Sequence, residues 1–196
     1  MKLKNILIPA LTILIAAAVL LGANAGLSGV RAQNIQQEHV RMMQLLLPGS
    51  VNFVREAYDG EDESVLSVHK AENGFVIETS ARGYAGEIIM MIGVNNDGRV
   101  TGLVVRDMDE TFGLGAKALT DHVFLSQFLN TAGDVSIGTT ADAFTSATAE
   151  AEEGSVAVDA ITGATVTSKA IARSVNSAVA VVTGADAATS ATEWGG

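Results

Sequence analysis

The residues best suited to chemistry form a run of ten near the C-terminus, residues 159–168, with the sequence DAITGATVTS. The run holds four hydroxyl side chains, those of Thr162, Thr165, Thr167 and Ser168. Apolar residues at helical spacing follow and predict a helix over residues 168–182; they are Ile171, Val175, Val179 and Val182. The hydroxyls are therefore expected around the N-terminus of a helix.

A helix N-terminus with these residues suits a phosphate group. The first turn leaves several backbone N–H groups without partners, and the helix dipole adds partial positive charge there. Small residues such as Gly163 and Ala164 let an anion approach the backbone closely. The alternative is a plain N-cap, because Ser and Thr are favoured at that position. On spacing alone, such caps are far commoner than phosphate sites.

Composition excludes several classes of protein. The chain contains no cysteine, which excludes disulfides, Cys-x-x-Cys redox pairs and cysteine-ligated iron–sulfur clusters. His39, His69 and His122 show no metal-ligand spacing, so no metal site is expected. The formal net charge of -10 offers no basic surface, so nucleic acid is not expected as a partner. Any electron transfer must use an organic cofactor.

The N-terminus predicts a membrane anchor. Lys2 and Lys4 precede residues 6–23, a stretch without a charged side chain and about as long as a hydrocarbon core requires. The alternative is a cleaved signal peptide, because residues 23–25 (Ala-Asn-Ala) satisfy the small-x-small cleavage pattern. Both interpretations put the rest of the chain outside the cytoplasm, since positive charges stay inside. A single-pass cell-membrane protein with a cytoplasmic N-terminus is expected.

The first half of the exported part shows helix and strand patterns. A juxtamembrane helix is predicted over residues 34–47 and is ended by Pro48-Gly49. Residues 74–107 predict three consecutive antiparallel strands, separated by turns at residues 83–86 and 95–98. An antiparallel sheet is therefore expected at the centre of the domain.

The second half is more polar and has weaker patterns. One short helix is predicted from the spacing of four apolar residues, Leu119, Val123, Phe124 and Phe128. Residues 130–154 predict a surface loop, with room for one short helix, and a solvated acidic patch at residues 149–153. Residues 156–159 predict a short strand directly before the hydroxyl run.

The hydroxyl run also carries a family resemblance. It resembles the D-x-x-[ST]-G-A-T motif of the FMN-binding domain family, in which a flavin transferase joins the phosphate of FMN to the last threonine of the G-A-T triplet. By resemblance, that threonine is Thr165. The resemblance further implies that neighbouring residues contribute to transferase recognition or to the flavin site, namely Asp159, Thr162, Gly163, Ala164 and Thr167.

A second match lies upstream, at residues 110–117, with the sequence ETFGLGAK. It resembles the family's H-x-E-T-P-G-L-G-x-K loop near the flavin. Met108 stands where the histidine is usual, and Phe112 replaces the proline. The alternative is a glycine-rich turn that closes a hairpin. The resemblance implies flavin-lining roles for Glu110, Thr111, Gly113, Leu114, Gly115 and Lys117.

The resemblance implies an α+β fold, in which one N-terminal transmembrane helix precedes an antiparallel-sheet FMN-binding domain with flanking helices. The expected divisions are an anchor over residues 1–25, a juxtamembrane helix and linker over 26–73, the FMN-binding domain over 74–183 and a flexible tail over 184–196. The tail and the Thr- and Ala-rich insert match no part of the family pattern.

The implied function is electron relay. Family members include the G subunit of the Rnf complex, which couples ferredoxin:NAD electron transfer to ion translocation, and the C subunit of the sodium-translocating NADH:quinone reductase. The short chain and the run DAITGATVTSKAI favour the G type, whose partners would be the other membrane and peripheral subunits and a flavin transferase. Two further hypotheses stay open: a membrane-tethered flavin reductase without a complex, and a non-redox domain in which the TGAT segment only caps a helix.

Overall fold

A computed structural model describes residues 4–111, 113, 115–138 and 156–184. The chain divides into two compact units, and the boundary between them follows Met42. The acidic patch at residues 149–153 and the predicted tail beyond Gly184 lie outside the described residues.

The first unit consists of helix α1 (Lys4–Leu46) as far as Met42. The predicted helix over residues 34–47 corresponds to the last part of α1. Among the described residues, no helix combines the length and the apolar composition needed to cross a membrane. The predicted span over residues 6–23 falls partly on side chains outside that description, those of residues 6–12, 20 and 23, and it stays a prediction.

The second unit contains an antiparallel sheet whose strands follow chain order: β1 (Val54–Glu56), β2 (Val65–Ala71), β3 (Gly74–Arg82), β4 (Glu87–Asn95) and β5 (Val100–Met108). The three predicted strands are β3, β4 and β5, and their antiparallel pairing is confirmed. The prediction did not include β1 and β2. β1 is short and exposed, and β2 acquires its register from β3, where Val68 lies opposite Ile77.

Both predicted turns are present. The β3–β4 turn spans residues 83–86 and is closed by a hydrogen bond from Gly83 N to Gly86 O at 2.8 Å. In the β4–β5 turn, the Asn95 side chain accepts hydrogen bonds from the backbone N–H groups of Asp97 and Arg99 at 3.1 and 2.8 Å. Gly98 has a positive φ of 75°, which favours glycine at that position.

Helix α4 (Thr165–Thr183) covers one face of the sheet. Its buried residues, among them Ile171 and Val175, join Ile77, Met90 and Ile92 in one hydrophobic core. The helix begins three residues before the predicted start at Ser168. Because α4 crosses β3 and β4, its N-terminus is held at a fixed position relative to the sheet.

The end of α1 covers the opposite face. Gly93 of β4 lies beside Gly102 of β5, and the backbone of Leu46 rests on this glycine pair. The Leu46 carbonyl accepts a hydrogen bond from Thr101 Oγ1 at 2.5 Å. Met43, Leu46 and Leu47 are buried here.

The prediction of one short helix after the strands was wrong. Two helices are present, α2 (Gly115–Thr120) and α3 (His122–Ser126). Asp121 separates them, because its side chain accepts hydrogen bonds from the N–H groups of Val123 and Phe124 and so starts a new helix. Val123, expected on the buried face, is 77% exposed.

A small parallel sheet completes the unit. The predicted strand over residues 156–159 is confirmed as β7 (Val156–Asp159), and it pairs in parallel with β6 (Val135–Gly138). β6 falls in the region predicted as a surface loop. The Asn176 side chain of α4 fixes β6, since it accepts from Val135 N at 2.9 Å and donates to Val135 O at 3.1 Å.

Candidate functional site

A cleft of about 350 Å³ lies between the β3–β4 turn and the first turn of α4. This volume falls in the range of small-molecule sites, roughly 300–1,000 Å³. The lining combines one aromatic side chain, several hydroxyls and small residues: Tyr84, Thr111, Gly115, Gly163, Ala164, Thr165, Val166 and Thr167. The two sequence motifs are therefore neighbours in space.

The N-terminus of α4 forms one wall of the cleft. Its N-cap is Ala164, and no side chain makes a capping hydrogen bond among the described residues. The interpretation of the run as a plain hydroxyl N-cap is therefore wrong. Gly163, with a positive φ of 80°, turns the chain into the helix. The first-turn N–H groups have no helical acceptors and face the space before the helix.

The four hydroxyls of the run lie in different environments. Thr167 and Ser168 are fully buried and already bonded, since Thr167 Oγ1 donates to Glu110 Oε1 at 3.1 Å and Ser168 Oγ donates to Ala164 O at 2.9 Å. Thr162 is exposed and does not line the cleft. Thr165 is half-buried at the first position of the helix and lines the cleft. Its hydroxyl is the best placed of the four for a bound molecule.

Glu110 lies behind the cleft wall. Its Oε1 accepts hydrogen bonds from Tyr84 N at 2.7 Å and from Thr167 Oγ1 at 3.1 Å. Its Oε2 accepts weaker bonds from Ala85 N at 3.4 Å and from Thr111 N at 3.3 Å. The carboxylate thus joins the β3–β4 turn, the loop after β5 and the first turn of α4.

Two glycines make room for this carboxylate. A Cβ atom on Gly83 would lie 1.9 Å from Glu110 Oε1. A Cβ atom on Gly115 would lie 2.4 Å from Glu110 Oε2 and 2.8 Å from Thr167 Oγ1. All three distances are far shorter than a van der Waals contact, so side chains at these positions would displace the carboxylate.

Asp159, Lys117 and Gly113 are absent from the described lining of the cleft. Asp159 is exposed at the end of β7, where its backbone N–H donates to Gln127 Oε1 at 3.1 Å. Lys117 is exposed on α2. Gly113 has a positive φ of 82° and open space around it, and Leu114 lies outside the described residues. In the described part of the chain, no group of His, Asp and Glu side chains has the geometry of a metal site.

Tyr84 and Val166 line the cleft but were not among the predicted site residues. Val166 lies inside the recognised run, and its neighbours Thr165 and Thr167 signalled its position. Tyr84 lies in the turn between Gly83 and Gly86, and its side chain is 72% exposed. The sequence feature that could have indicated Tyr84 as a site residue is a large aromatic residue in a turn flanked by glycines.

Comparison with known proteins gives matches over the same region. Residues 83–180 match the family described as the FMN-binding domain. The chain is 36% identical over 113 residues to the G subunit of the Na(+)-translocating ferredoxin:NAD(+) oxidoreductase complex of Acetobacterium woodii, covering 55% of this chain and 48% of that protein. It is 35% identical over 109 residues to the G subunit of the proton-translocating ferredoxin:NAD(+) oxidoreductase complex of Clostridium ljungdahlii, covering 56% and 53%.

The chain spans about half the length of the curated relatives it matches. Among solved structures, the C subunit of the Na(+)-translocating NADH-quinone reductase from Parabacteroides distasonis superposes with a TM-score of 0.45 and 22% identity. That superposition covers 62% of this chain and 63% of that one.

Proposed function

The chain belongs to the FMN-binding domain family, and we propose that it holds FMN in the cleft, covalently joined through its phosphate to Thr165, and relays electrons within a membrane complex. The main support for this proposal is the N-terminus of α4, which has no side-chain cap among the described residues. Thr165 is the first residue of that helix and lines the cleft.

The helix end fits the phosphate of FMN. A phosphoester on Thr165 would lie beside unpartnered N–H groups of the first turn and at the positive end of the helix dipole. Ala164 at the N-cap and Gly163 before it leave the backbone open to an anion. A bulky or acidic residue at either position would oppose this arrangement.

The environments of the hydroxyls support Thr165 over its neighbours. The attachment reaction transfers FMN from FAD: the Thr165 oxygen forms a bond to the FMN phosphorus, the pyrophosphate bond breaks, AMP leaves and the hydroxyl proton is lost. The reacting oxygen must be accessible and free to leave its hydrogen-bond partners. Thr165 and Thr167 both line the cleft, but Thr167 is fully buried and its hydroxyl donates to Glu110, whereas Thr165 is half-buried. Ser168 is fully buried and donates to Ala164 O.

The rest of the cleft fits the flavin ring. Tyr84 and Val166 supply apolar surface and Thr111 supplies a hydroxyl, while the hydroxyl of Thr167 is directed to Glu110. When bound, FMN supplies the electron-transfer chemistry, and the protein supplies binding, orientation and electrostatics. Asp159 and Thr162, exposed and outside the cleft, are proposed as recognition residues for the flavin transferase. Lys117 and Gly113 are proposed as peripheral contacts.

The relatives support a role within a complex. Both are named as G subunits of ferredoxin:NAD(+) oxidoreductase complexes, one Na(+)-translocating and one proton-translocating. We propose that this chain serves as the corresponding electron relay beside other membrane and peripheral subunits. Since the two relatives differ in their ion, no coupling ion is assigned. The uncharged residues 6–23 are proposed as a single-pass anchor that keeps the flavin domain extracytoplasmic and near its partners.

Peptide mass spectrometry tests the attachment. The intact chain is produced together with a flavin transferase, and the peptide that contains all four hydroxyls is fragmented to assign the modified oxygen. We expect FMN on Thr165, no label in T165A, and full label in the matched control T120A, whose exposed hydroxyl lies outside the cleft and outside the hydroxyl run. A label on Thr162, or a fully loaded T165A, would contradict the proposal.

The complex is tested separately. Mild solubilisation of native membranes, followed by affinity purification of the intact chain, should recover several other membrane proteins together with the flavin-bearing chain. Recovery of the flavinylated chain alone, with reductase activity towards a small acceptor, would instead support the stand-alone flavin reductase.

A further inference from the structure

Glu110 contacts the cleft without lining it. Its four hydrogen-bond donors come from residues on three different segments, and three of those residues line the cleft: Tyr84, Thr111 and Thr167. A displacement of this carboxylate would therefore move several walls of the cleft together.

We propose that Glu110 is a positioning residue of the flavin cleft, which holds the Tyr84 turn against the first turn of α4 and keeps a negative charge beside the cleft that lowers the reduction potential of the bound flavin. This inference rests on the proposed function. It differs from the direct flavin contact that the sequence resemblance implies for this residue, because Glu110 acts through the groups it holds.

The hydrogen-bond pattern is that of an ionised carboxylate. In every contact recorded for the Glu110 side chain, its oxygens accept. Three of the donors are backbone N–H groups. A protonated carboxyl could not donate its own hydrogen to these groups, because they are donors themselves. Among the described residues, no Lys or Arg forms a salt bridge with Glu110. The negative charge of Glu110 is stabilised by the N–H dipoles and by the positive end of the α4 dipole.

The negative charge of Glu110 is separated from the cleft by a single layer of lining residues. Gly115 and Thr167 both line the cleft and both approach the carboxylate, since a Cβ on Gly115 would lie 2.4 Å from Oε2. Reduction adds negative charge to a flavin, and a carboxylate nearby disfavours that change. Glu110 is half-buried, so solvent screens this interaction less than it would at an open surface.

The geometric part of the proposal concerns Tyr84. Its ring is largely exposed, so few contacts of the side chain itself fix its position. The backbone of its turn is fixed by the bond from Tyr84 N to Glu110 Oε1 at 2.7 Å. With that bond in place, Tyr84 lines the cleft together with residues of the first turn of α4, and its aromatic ring can stack on a planar ligand.

The test uses the intact chain, produced with a flavin transferase, and three variants. E110Q removes the charge at nearly constant size. E110D keeps the charge but withdraws the carboxylate by about one methylene. E72Q is the matched control, because Glu72 is exposed in the β2–β3 turn, at the opposite end of β3. The readouts are flavin per chain, midpoint potential and flavin fluorescence.

We expect E110Q to carry flavin with a midpoint potential more positive than that of the wild type, and E72Q to match the wild type. E110D should keep a potential near the wild-type value but show brighter flavin fluorescence, because a loosened Tyr84 quenches it less. A loaded E110Q with an unshifted potential overturns the inference, and so does E110D with wild-type fluorescence. If E110Q loads no flavin while E110D does, the charge is required for the cleft to hold flavin, and wild-type fluorescence of E110D would still overturn the inference.

A wild-type chain without flavin would overturn the proposed function and this inference with it. A loaded wild type, combined with unchanged E110Q and E110D, would overturn this inference alone.

Discussion

The hydroxyl of Thr167 donates a hydrogen bond to Oε1 of Glu110 at 3.1 Å, across 57 residues of sequence. This bond connects the two motifs of the chain, because Thr167 belongs to the hydroxyl run and Glu110 opens the glycine-rich loop. Thr167 is fully buried and Glu110 is half-buried, so the bond is partly shielded from water. The motifs therefore form one site whose parts are joined directly.

Thr165 is expected to be replaceable without loss of the fold. It is the first residue of α4 and not its cap, and alanine is a better helix former than threonine. Thr165 is half-buried at the helix end, so the free energy of unfolding of T165A should lie within about 1 kcal/mol of that of the unmodified wild type. Thermal unfolding of both proteins, produced without a transferase, checks this expectation.

T165S supplies the chemical control for the same position. It keeps a hydroxyl at the mouth of the cleft and should regain covalent flavin in the presence of the transferase. A T165A protein that fails to fold, or a T165S protein that folds but takes no flavin, would count against the assignment.

Thr167→Val should weaken the link between the motifs. Valine has nearly the shape of threonine but cannot donate to Glu110. Hydrogen bonds to charged groups contribute about 1.5–3 kcal/mol, and partial exposure of Glu110 favours the lower end, so we expect a loss of about 1.5 kcal/mol. Urea unfolding measures it. T162V, at an exposed threonine of the same run, is the control, and equal stability of the two variants would contradict the expectation.

Gly93→Ala should destabilise the second unit more than Gly102→Ala. The two glycines face each other across β4 and β5. A Cβ on Gly93 would lie 2.2 Å from the Leu46 carbonyl oxygen, whereas the nearest atom to a Cβ on Gly102, the Leu46 Cα, is 3.1 Å away. Overpacking of a tight contact costs about 1–3 kcal/mol. Denaturant unfolding of both variants checks the order, and a reversed order would show that Leu46 does not rest on this pair.

Asp62 should stabilise the second unit in a pH-dependent way. Burial alone would raise the pKa of Asp62, but hydrogen bonds from the Ser64 and Ser177 hydroxyls and from Ser64 N lower it further than burial raises it, so its pKa lies below the usual value. A carboxyl with a depressed pKa in the folded state stabilises fully above its unfolded pKa of about 3.9. That contribution disappears as the pH falls through the folded-state pKa.

D62N is therefore expected to be less stable than the wild type at pH 7, with the difference narrowing below about pH 4. Urea unfolding at both pH values measures this change. D97N, at an exposed aspartate in the β4–β5 turn, is the control, and a D62N deficit that persists unchanged in acid would refute the pH dependence.

Local patterns were sufficient where a residue's neighbours in sequence are also its neighbours in space. Alternating apolar residues and turn residues over 74–107 predicted β3, β4 and β5, because a hairpin closes over a few residues. Helical spacing after Ser168 predicted α4, although its start at Thr165 depended on cap geometry. The prediction missed β1, β2 and β6. Pairing with neighbouring strands of the sheets, and not a pattern in their own sequences, holds these three strands in extended conformation.

The residue types of the hydroxyl run and of the loop at residues 110–117 were enough to predict a helix end suited to a phosphate and to carry the resemblance to the FMN-binding domain family. Tertiary structure decided that Thr165 is the cleft-lining threonine that is half-buried, that Thr167 is buried against Glu110, and that Tyr84 lines the cleft. These features depend on contacts between segments far apart in the chain, such as the bond between Thr167 and Glu110. Sequence periodicity reports which face of an element is buried, but the partner met on that face is fixed only when the sheet and α4 pack together.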